Sequence, residues 1–144
     1  MRENSGRSLI EIIGVLAIGV SMLAAAYSMY KTINARQKRL ITYETVQDIA
    51  KKTKVLYAYS GYKDISANTL ITDGAITDTK LPIGTLAISG TDANFTITIS
   101  ELTKDECEYF KIKKADWAAK THINGVNNTA CANNDNNSIA WGVE

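Results

Sequence analysis

Nineteen consecutive residues without a charge, Ile12–Tyr30 (IIGVLAIGVSMLAAAYSMY), decide how this chain folds. A helix of that length rises about 28 Å, which is close to the hydrocarbon thickness of a bilayer. Basic residues flank the run, with Arg2 and Arg7 before it and Lys31 directly after it. We therefore expect a membrane-spanning helix near the N-terminus.

The carboxylate of Glu11 directly precedes this apolar run. A secretory signal peptide with a cleavage site at Ala24-Ala25-Ala26 is one alternative, but its apolar core usually has only about 7–15 residues. A plain single-span anchor fits the length but does not explain the acidic residue, because a carboxylate in a membrane helix is costly and usually has a partner. That partner is either Arg7, four residues earlier on the same helix, or a positive group on another chain.

The string Gly6-Arg7-Ser8-Leu9-Ile10-Glu11, followed at once by the apolar run, is similar to the class III prepilin signal. That signal belongs to type IV pilins and to the pseudopilins of type II secretion. The resemblance implies that a membrane-embedded prepilin peptidase cuts after Gly6 and that Arg7 becomes the N-methylated first residue. It also implies that Glu11, the fifth mature residue, sets the register between subunits.

Two positions differ from the family pattern. The first mature residue is usually Phe, Met or Leu, whereas here it is Arg7. Many pilins also carry a proline that kinks this helix, but the only proline of this chain is Pro82.

The helix is expected to continue beyond the membrane, because residues 31–60 contain neither glycine nor proline. Gly61 is a plausible helix stop. Apolar residues recur along this extension at a spacing of three or four, with gaps: Ile33, Leu40, Val46, Ile49, Ala50 and Leu56. The sequence thus predicts a leader over 1–6, a helix over 7–60 (transmembrane over 9–30, amphipathic over 31–60) and a head over 61–144.

The head is predicted to be a small antiparallel sheet with one helix, which gives an α+β, pilin-like fold. Residues 62–80 are rich in Asp, Thr, Asn and Ser and are expected to form a loop-rich connector. Asn94–Ser100 alternates strictly between polar and apolar residues, as a half-buried strand does, and Thr103–Glu106 matches a capping box at a helix start. The further strand candidates are Ile83–Ser89, Thr121–Val126 and Ser138–Val143, with an asparagine-rich loop between the last two.

The two cysteines are expected to form a disulfide between Cys107 and Cys131, because the N-terminal signal delivers the head across the membrane to an oxidising compartment. Two unpaired thiols are the alternative. The head also resembles type IVb-like pilins. The matching features are the alternating strand Phe95–Ile99, Cys107, Asn124-Gly125, Cys131 and Ser138-Ile139.

Composition argues against several other functions. The net charge of +1 disfavours bulk electrostatic binding to nucleic acid. His122 and Cys107 could form a nucleophilic dyad, but a disulfide would abolish it, so we expect no enzymatic activity. The oxygen-rich segment Asn133–Ser138 could hold calcium, but it lacks the EF-hand glycine and terminal glutamate and is better explained as a solvated loop. We expect neither a metal nor a cofactor.

Charge is divided unevenly along the chain. Residues 31–54 hold seven Lys/Arg and two Asp/Glu, a net charge of +5, whereas residues 55–144 hold seven and eleven, a net charge of −4. This division suits contacts between the acidic head of one subunit and the basic stem of another. It equally suits attraction of the stem to anionic lipid headgroups.

The expected function is that of a structural subunit of a type IV pilus-like filament, anchored in the inner membrane as a precursor and displayed on the cell surface after assembly. The chain has no phosphate-binding loop, so a separate ATPase of the inner-membrane assembly machinery must drive polymerisation. Two alternatives remain: a type II secretion pseudopilin, and a single-span anchored domain whose head binds a ligand alone.

Overall fold

The computed structural model describes residues 4–125 and 130–144, with side chains described from Ser8 onward. The α+β fold predicted from the sequence is confirmed: a long N-terminal helix precedes a four-stranded antiparallel sheet. The elements are α1 (Asn4–Tyr57), α2 (Ala67–Thr72), β1 (Thr85–Gly90), β2 (Phe95–Leu102), α3 (Lys104–Ile112), β3 (Lys120–Ile123) and β4 (Asn137–Val143).

The chain divides into two compact units, Met1–Gln37 and Lys38–Glu144. The described part of the first unit is helical throughout. The second unit contains the last part of α1 and all the other elements, and it holds the hydrophobic core.

The core-facing stripe of α1 in the second unit begins at Thr42. Val46, Ile49 and Ala50 are buried, as the apolar spacing of the sequence predicts, and Thr42, Tyr43 and Thr53 complete the stripe. Leu40 and Leu56 lie off this face and are 42% and 51% exposed. The stripe follows the i, i+3, i+4, i+7 pattern of a helix that packs one face against a core.

The sheet has the strand order β1-β2-β4-β3, and every neighbouring pair is antiparallel. One face of the sheet lies in the core, and its largest buried side chains include Phe95, Ile97 and Trp141. The other face carries small and polar side chains in register, such as the row Ala87, Thr98, Ala140 and His122. Because side chains alternate between the two faces of a strand, the strict alternation in β2 places one face of this strand in the core.

The connector over 62–80 differs from the sequence expectation, since it contains the short helix α2. Ser66 caps this helix, and the backbone N–H of Ser66 donates to the Thr69 hydroxyl at 2.8 Å. Thr69 accepts the hydrogen bond that glutamate or glutamine accepts in the usual capping box. The usual sequence pattern is therefore absent, and the helix was not predicted. In β3, strand pairing ends at Ile123, and Val126 of the predicted strand lies outside the described residues.

Candidate functional site

The N-terminal part of α1 carries the residues that the prepilin resemblance singles out. The helix includes the backbone of Gly6, Arg7 and Glu11. Glu11 is exposed and is the only charged residue from Ser8 to Tyr30. Arg7 and Glu11 are four positions apart, about one helical turn, but the Arg7 side chain lies outside the described part of the structure. The intrachain Arg7–Glu11 pair therefore stays a prediction.

Every side chain from Ser8 to Ile33 is exposed. Exposure reaches 71% for Ile10 and for Leu23, and this helix is long and apolar enough to cross a membrane. Each aliphatic side chain of this kind gains about 1.5–3 kcal/mol when it is fully withdrawn from water. An apolar surface of this extent needs lipid or other protein chains to cover it.

The two serine hydroxyls inside the apolar run are satisfied by the helix itself. The Ser21 hydroxyl donates to the Ile18 carbonyl at 2.8 Å, and the Ser28 hydroxyl donates to the Ala25 carbonyl at the same distance. A hydroxyl that donates to a carbonyl of its own helix keeps this hydrogen bond when the helix enters an apolar environment. Among the side chains of the run and its immediate N-terminal flank, Glu11 therefore stands apart, because its charge cannot be neutralised by a backbone carbonyl.

The end of the apolar run has the composition of a membrane–water interface. Tyr27 and Tyr30 precede Lys31, whose ammonium lies 4.9 Å from the centre of the Tyr27 ring. Tyrosine and lysine are both common where a membrane helix meets the headgroups. This arrangement is compatible with anchoring in a membrane, although a signal sequence can look the same.

Packing within a single chain does not require glycine at Gly14 or Gly19. A Cβ atom added at Gly14 or Gly19 would meet nothing within 4 Å. Alanine would fit at both positions and would favour the helix by about 1 kcal/mol each. Small residues on apolar helices commonly mark places where a second helix approaches closely.

In the head, Cys107 of α3 is bonded to Cys131, with the two Cα atoms 5.9 Å apart. Both residues are buried. The bond joins α3 to the segment that leads into β4. Since Cys107 is part of the disulfide, its thiol is not available for the dyad with His122, which is half-buried on the outer sheet face.

The asparagine-rich segment is more than a solvated loop, because Asn137 is fully buried within a hydrogen-bond network. Its amide nitrogen lies 3.3, 3.0 and 2.8 Å from the carbonyl oxygens of Leu102, Ala132 and Asn134 and shares its two hydrogens among them. Its carbonyl oxygen accepts from the Ala132 N–H and the Asn124 amide at 2.6 and 2.8 Å. One side chain thus connects β4, the end of β2 and the segment after Cys131. No sequence pattern indicates this role, because the buried asparagine belongs to a run of asparagines whose other members are exposed.

The described residues contain no cluster of three or more His, Cys, Asp and Glu side chains that could hold a metal ion. Asp135 and the asparagines on either side of it are exposed. No protein-family model matches the chain, and no curated protein matches it. Its function must therefore be inferred from its own residues and fold.

Proposed function

We propose that this chain is a structural subunit of a type IV pilus-like filament. It is made as a membrane-anchored precursor, cut after Gly6 by a prepilin peptidase and N-methylated at Arg7. It then polymerises through its N-terminal helix, and the disulfide-bonded head faces outward. The assembly machinery and its ATPase are separate proteins.

The observation that carries this proposal is the exposed apolar surface of α1 over residues 8–30, with Glu11 at its start. Lipid alone covers such a surface, but it leaves Arg7 of the same chain as the only protein group that could balance the carboxylate. A bundle of like helices covers the surface and also brings a positive group to each carboxylate. That group is the N-terminal amine of an adjacent subunit, created by cleavage after Gly6.

Energetics favour such pairing once the helix leaves the membrane. An unpaired charge in an apolar interior costs several kcal/mol, whereas a paired one has most of that cost offset. Because only one axial position of the neighbour brings its amine to Glu11, the pair also fixes the register of each added subunit. Gly14 and Gly19 support the same arrangement, since they allow helix backbones to approach closely.

The test is to locate the protein in cells with an antibody against the head. Electron microscopy of intact cells, combined with fractionation of sheared material, should find it in long surface filaments. Absence of filaments together with a secretion defect would assign the chain to a pseudopilus. Monomers confined to the membrane fraction would contradict polymerisation and indicate an anchored binding domain.

A further inference from the structure

The end of α3 exposes an isoleucine among lysines. Ile112 is 77% exposed, and Lys111, Lys113 and Lys114 surround it in the sequence. We call Lys111–Lys114 the lysine–isoleucine patch. Exposing an isoleucine side chain to water is unfavourable. An apolar side chain among cations is a combination that binds the surface of an anionic membrane.

One cationic group of this patch and one beside it contact aromatic rings. The Lys113 ammonium lies 5.2 Å from the centre of the Tyr43 ring and 6.0 Å from that of Tyr109. The Arg39 guanidinium lies 5.6 Å from the centre of the same Tyr109 ring. Cation–π contacts of this kind position a charge without neutralising it. The Tyr43 hydroxyl also donates to the Lys114 carbonyl at 2.8 Å, which fixes the backbone after α3.

Acidic residues offset only part of this charge. Glu108 pairs with Lys111 at 3.6 Å, and Asp116 lies two positions after Lys114. In the part of the chain that the structure describes, Lys113, Lys114 and Arg39 take part in no ion pair within 4.0 Å. The patch thus presents a local excess of positive charge on a head whose net charge is negative.

The length of the chain restricts where this patch can act. Arg39 follows Tyr30, the last residue of the uncharged run, by nine positions. Even a fully extended chain of nine residues spans only about 32 Å. If residues 12–30 lie in a bilayer, Arg39 and the rings that it contacts are tethered near the headgroups of that bilayer.

We propose that the lysine–isoleucine patch docks on anionic phospholipid headgroups, with Ile112 entering the interface and the lysines contacting phosphate. This proposal requires the membrane span but not polymerisation. The docked state would hold the head of the unassembled precursor against the membrane and would be released on extraction into a filament.

The test uses the full chain at one copy per nanodisc. One nanodisc contains only phosphatidylcholine, and the other contains phosphatidylcholine and phosphatidylglycerol at seven to three. Hydrogen–deuterium exchange of the amides over 109–116 should be slower in the anionic nanodisc, and high salt should remove the difference. Lys111→Gln with Lys114→Gln should weaken docking about 25-fold, because each cation near an anionic surface contributes about fivefold.

Matched variants are available outside both the patch and the basic segment 31–54. Lys63→Gln with Lys80→Gln removes two exposed lysines of the head, and Val55→Ser changes a side chain that is 77% exposed, as Ile112 is. These changes should leave the protection intact, whereas Ile112→Ser should reduce it. Equal exchange in both nanodiscs, or equal effects of the patch and control variants, would overturn the proposal. So would protection seen only with two copies per nanodisc, which would assign the surface to a second copy of the chain.

Discussion

Glu11 carries the only charge between Ser8 and Tyr30, on a helix whose side chains are all exposed there. We expect Glu11→Ala to leave membrane insertion and leader cleavage intact, because neither step requires a charge pair between subunits. Filament yield should fall at least tenfold, since the register pair is lost. Glu44→Ala is the control, because it removes an exposed carboxylate from the same helix in the second unit. Immunoblots of sheared filaments measure filament yield, and immunoblots of membranes measure insertion and leader cleavage. Normal filament yield from Glu11→Ala would contradict the register role.

Arg7 tests which positive group meets Glu11. If the partner is the N-terminal amine of a neighbour, Arg7→Phe should be tolerated, because it restores the residue usual in the family and leaves the amine in place. The same blots measure cleavage and filament yield. Loss of filaments with cleavage unaffected would show that the guanidinium, and not the amine, is the required partner.

Asn137 should matter more for stability than any other asparagine of its segment. Asn137→Ala would leave the buried carbonyl of Leu102 and the N–H of Ala132 without partners, which should lower the free energy of unfolding by about 3 kcal/mol. Asn133→Ala changes an exposed side chain nearby and should cost less than about 0.5 kcal/mol. Denaturant unfolding measures both. Similar values for the two variants would show that the network contributes little.

The disulfide connects α3 to the segment before β4 and closes a loop with a sequence separation of 24 residues. By the loop-entropy argument, removing it should destabilise the head by about 3.5 kcal/mol. The double variant Cys107→Ser with Cys131→Ser gives this value without leaving a free thiol, and chemical denaturation measures it. The pairing itself would be refuted if both thiols of the native protein reacted freely with an alkylating agent.

Tyr57 ties the end of α1 to the end of α2, because its hydroxyl donates to the Asp73 carboxylate. This hydrogen bond, together with partial burial and the charge of Asp73, raises the pKa of Tyr57 above its ordinary value near 10. A raised pKa means that folding favours the protonated phenol. The contribution to stability is therefore complete below pH 10 and is lost as the pH rises through the folded-state pKa.

Unfolding curves of wild type and Tyr57→Phe between pH 8 and 12 test this tie. The stability difference should be constant up to about pH 10 and should shrink above it. Asp73→Asn should bring the phenol titration, followed by ultraviolet absorbance, back toward the ordinary value. A stability difference that does not change with pH would show that the hydrogen bond is not formed in solution.

How far the sequence predicts these elements depends on whether a local pattern determines them. The capping box at Thr103 and Glu106 predicted the start of α3, because both hydrogen bonds are made by residues three positions apart. The strict alternation of β2 predicted its buried face, because side chains two positions apart lie on the same face of a strand. By contrast, the capping box of α2 is local but has Thr69 where the usual pattern has glutamate or glutamine, and the contacts of Asn137 span up to 35 residues. Neither therefore matches a local sequence pattern. In the proposed filament the partner of Glu11 belongs to another chain, so the pattern within one chain cannot identify it.

At the level of the complete chain, the two units differ in what they bury. The second unit has its own buried core, whereas the side chains of residues 8–33 are all exposed. Processing after Gly6, extraction from lipid and helix bundling are the steps by which the proposed subunit covers this surface. In the proposed bundle, Gly14 and Gly19 would allow the helix backbones to approach closely. Gly14→Ala with Gly19→Ala should therefore leave the precursor inserted in the membrane while reducing filament yield.

The most direct test of the filament proposal is the intact mass of the chain recovered from surface filaments. Filaments sheared from cells and pelleted should contain a chain of 138 residues that begins at Arg7, carries one added methyl group and has Cys107 bonded to Cys131. The membrane fraction should contain the precursor with residues 1–6 still attached. A chain that begins after Ala26, or one that never leaves the membrane as a polymer, would contradict the account.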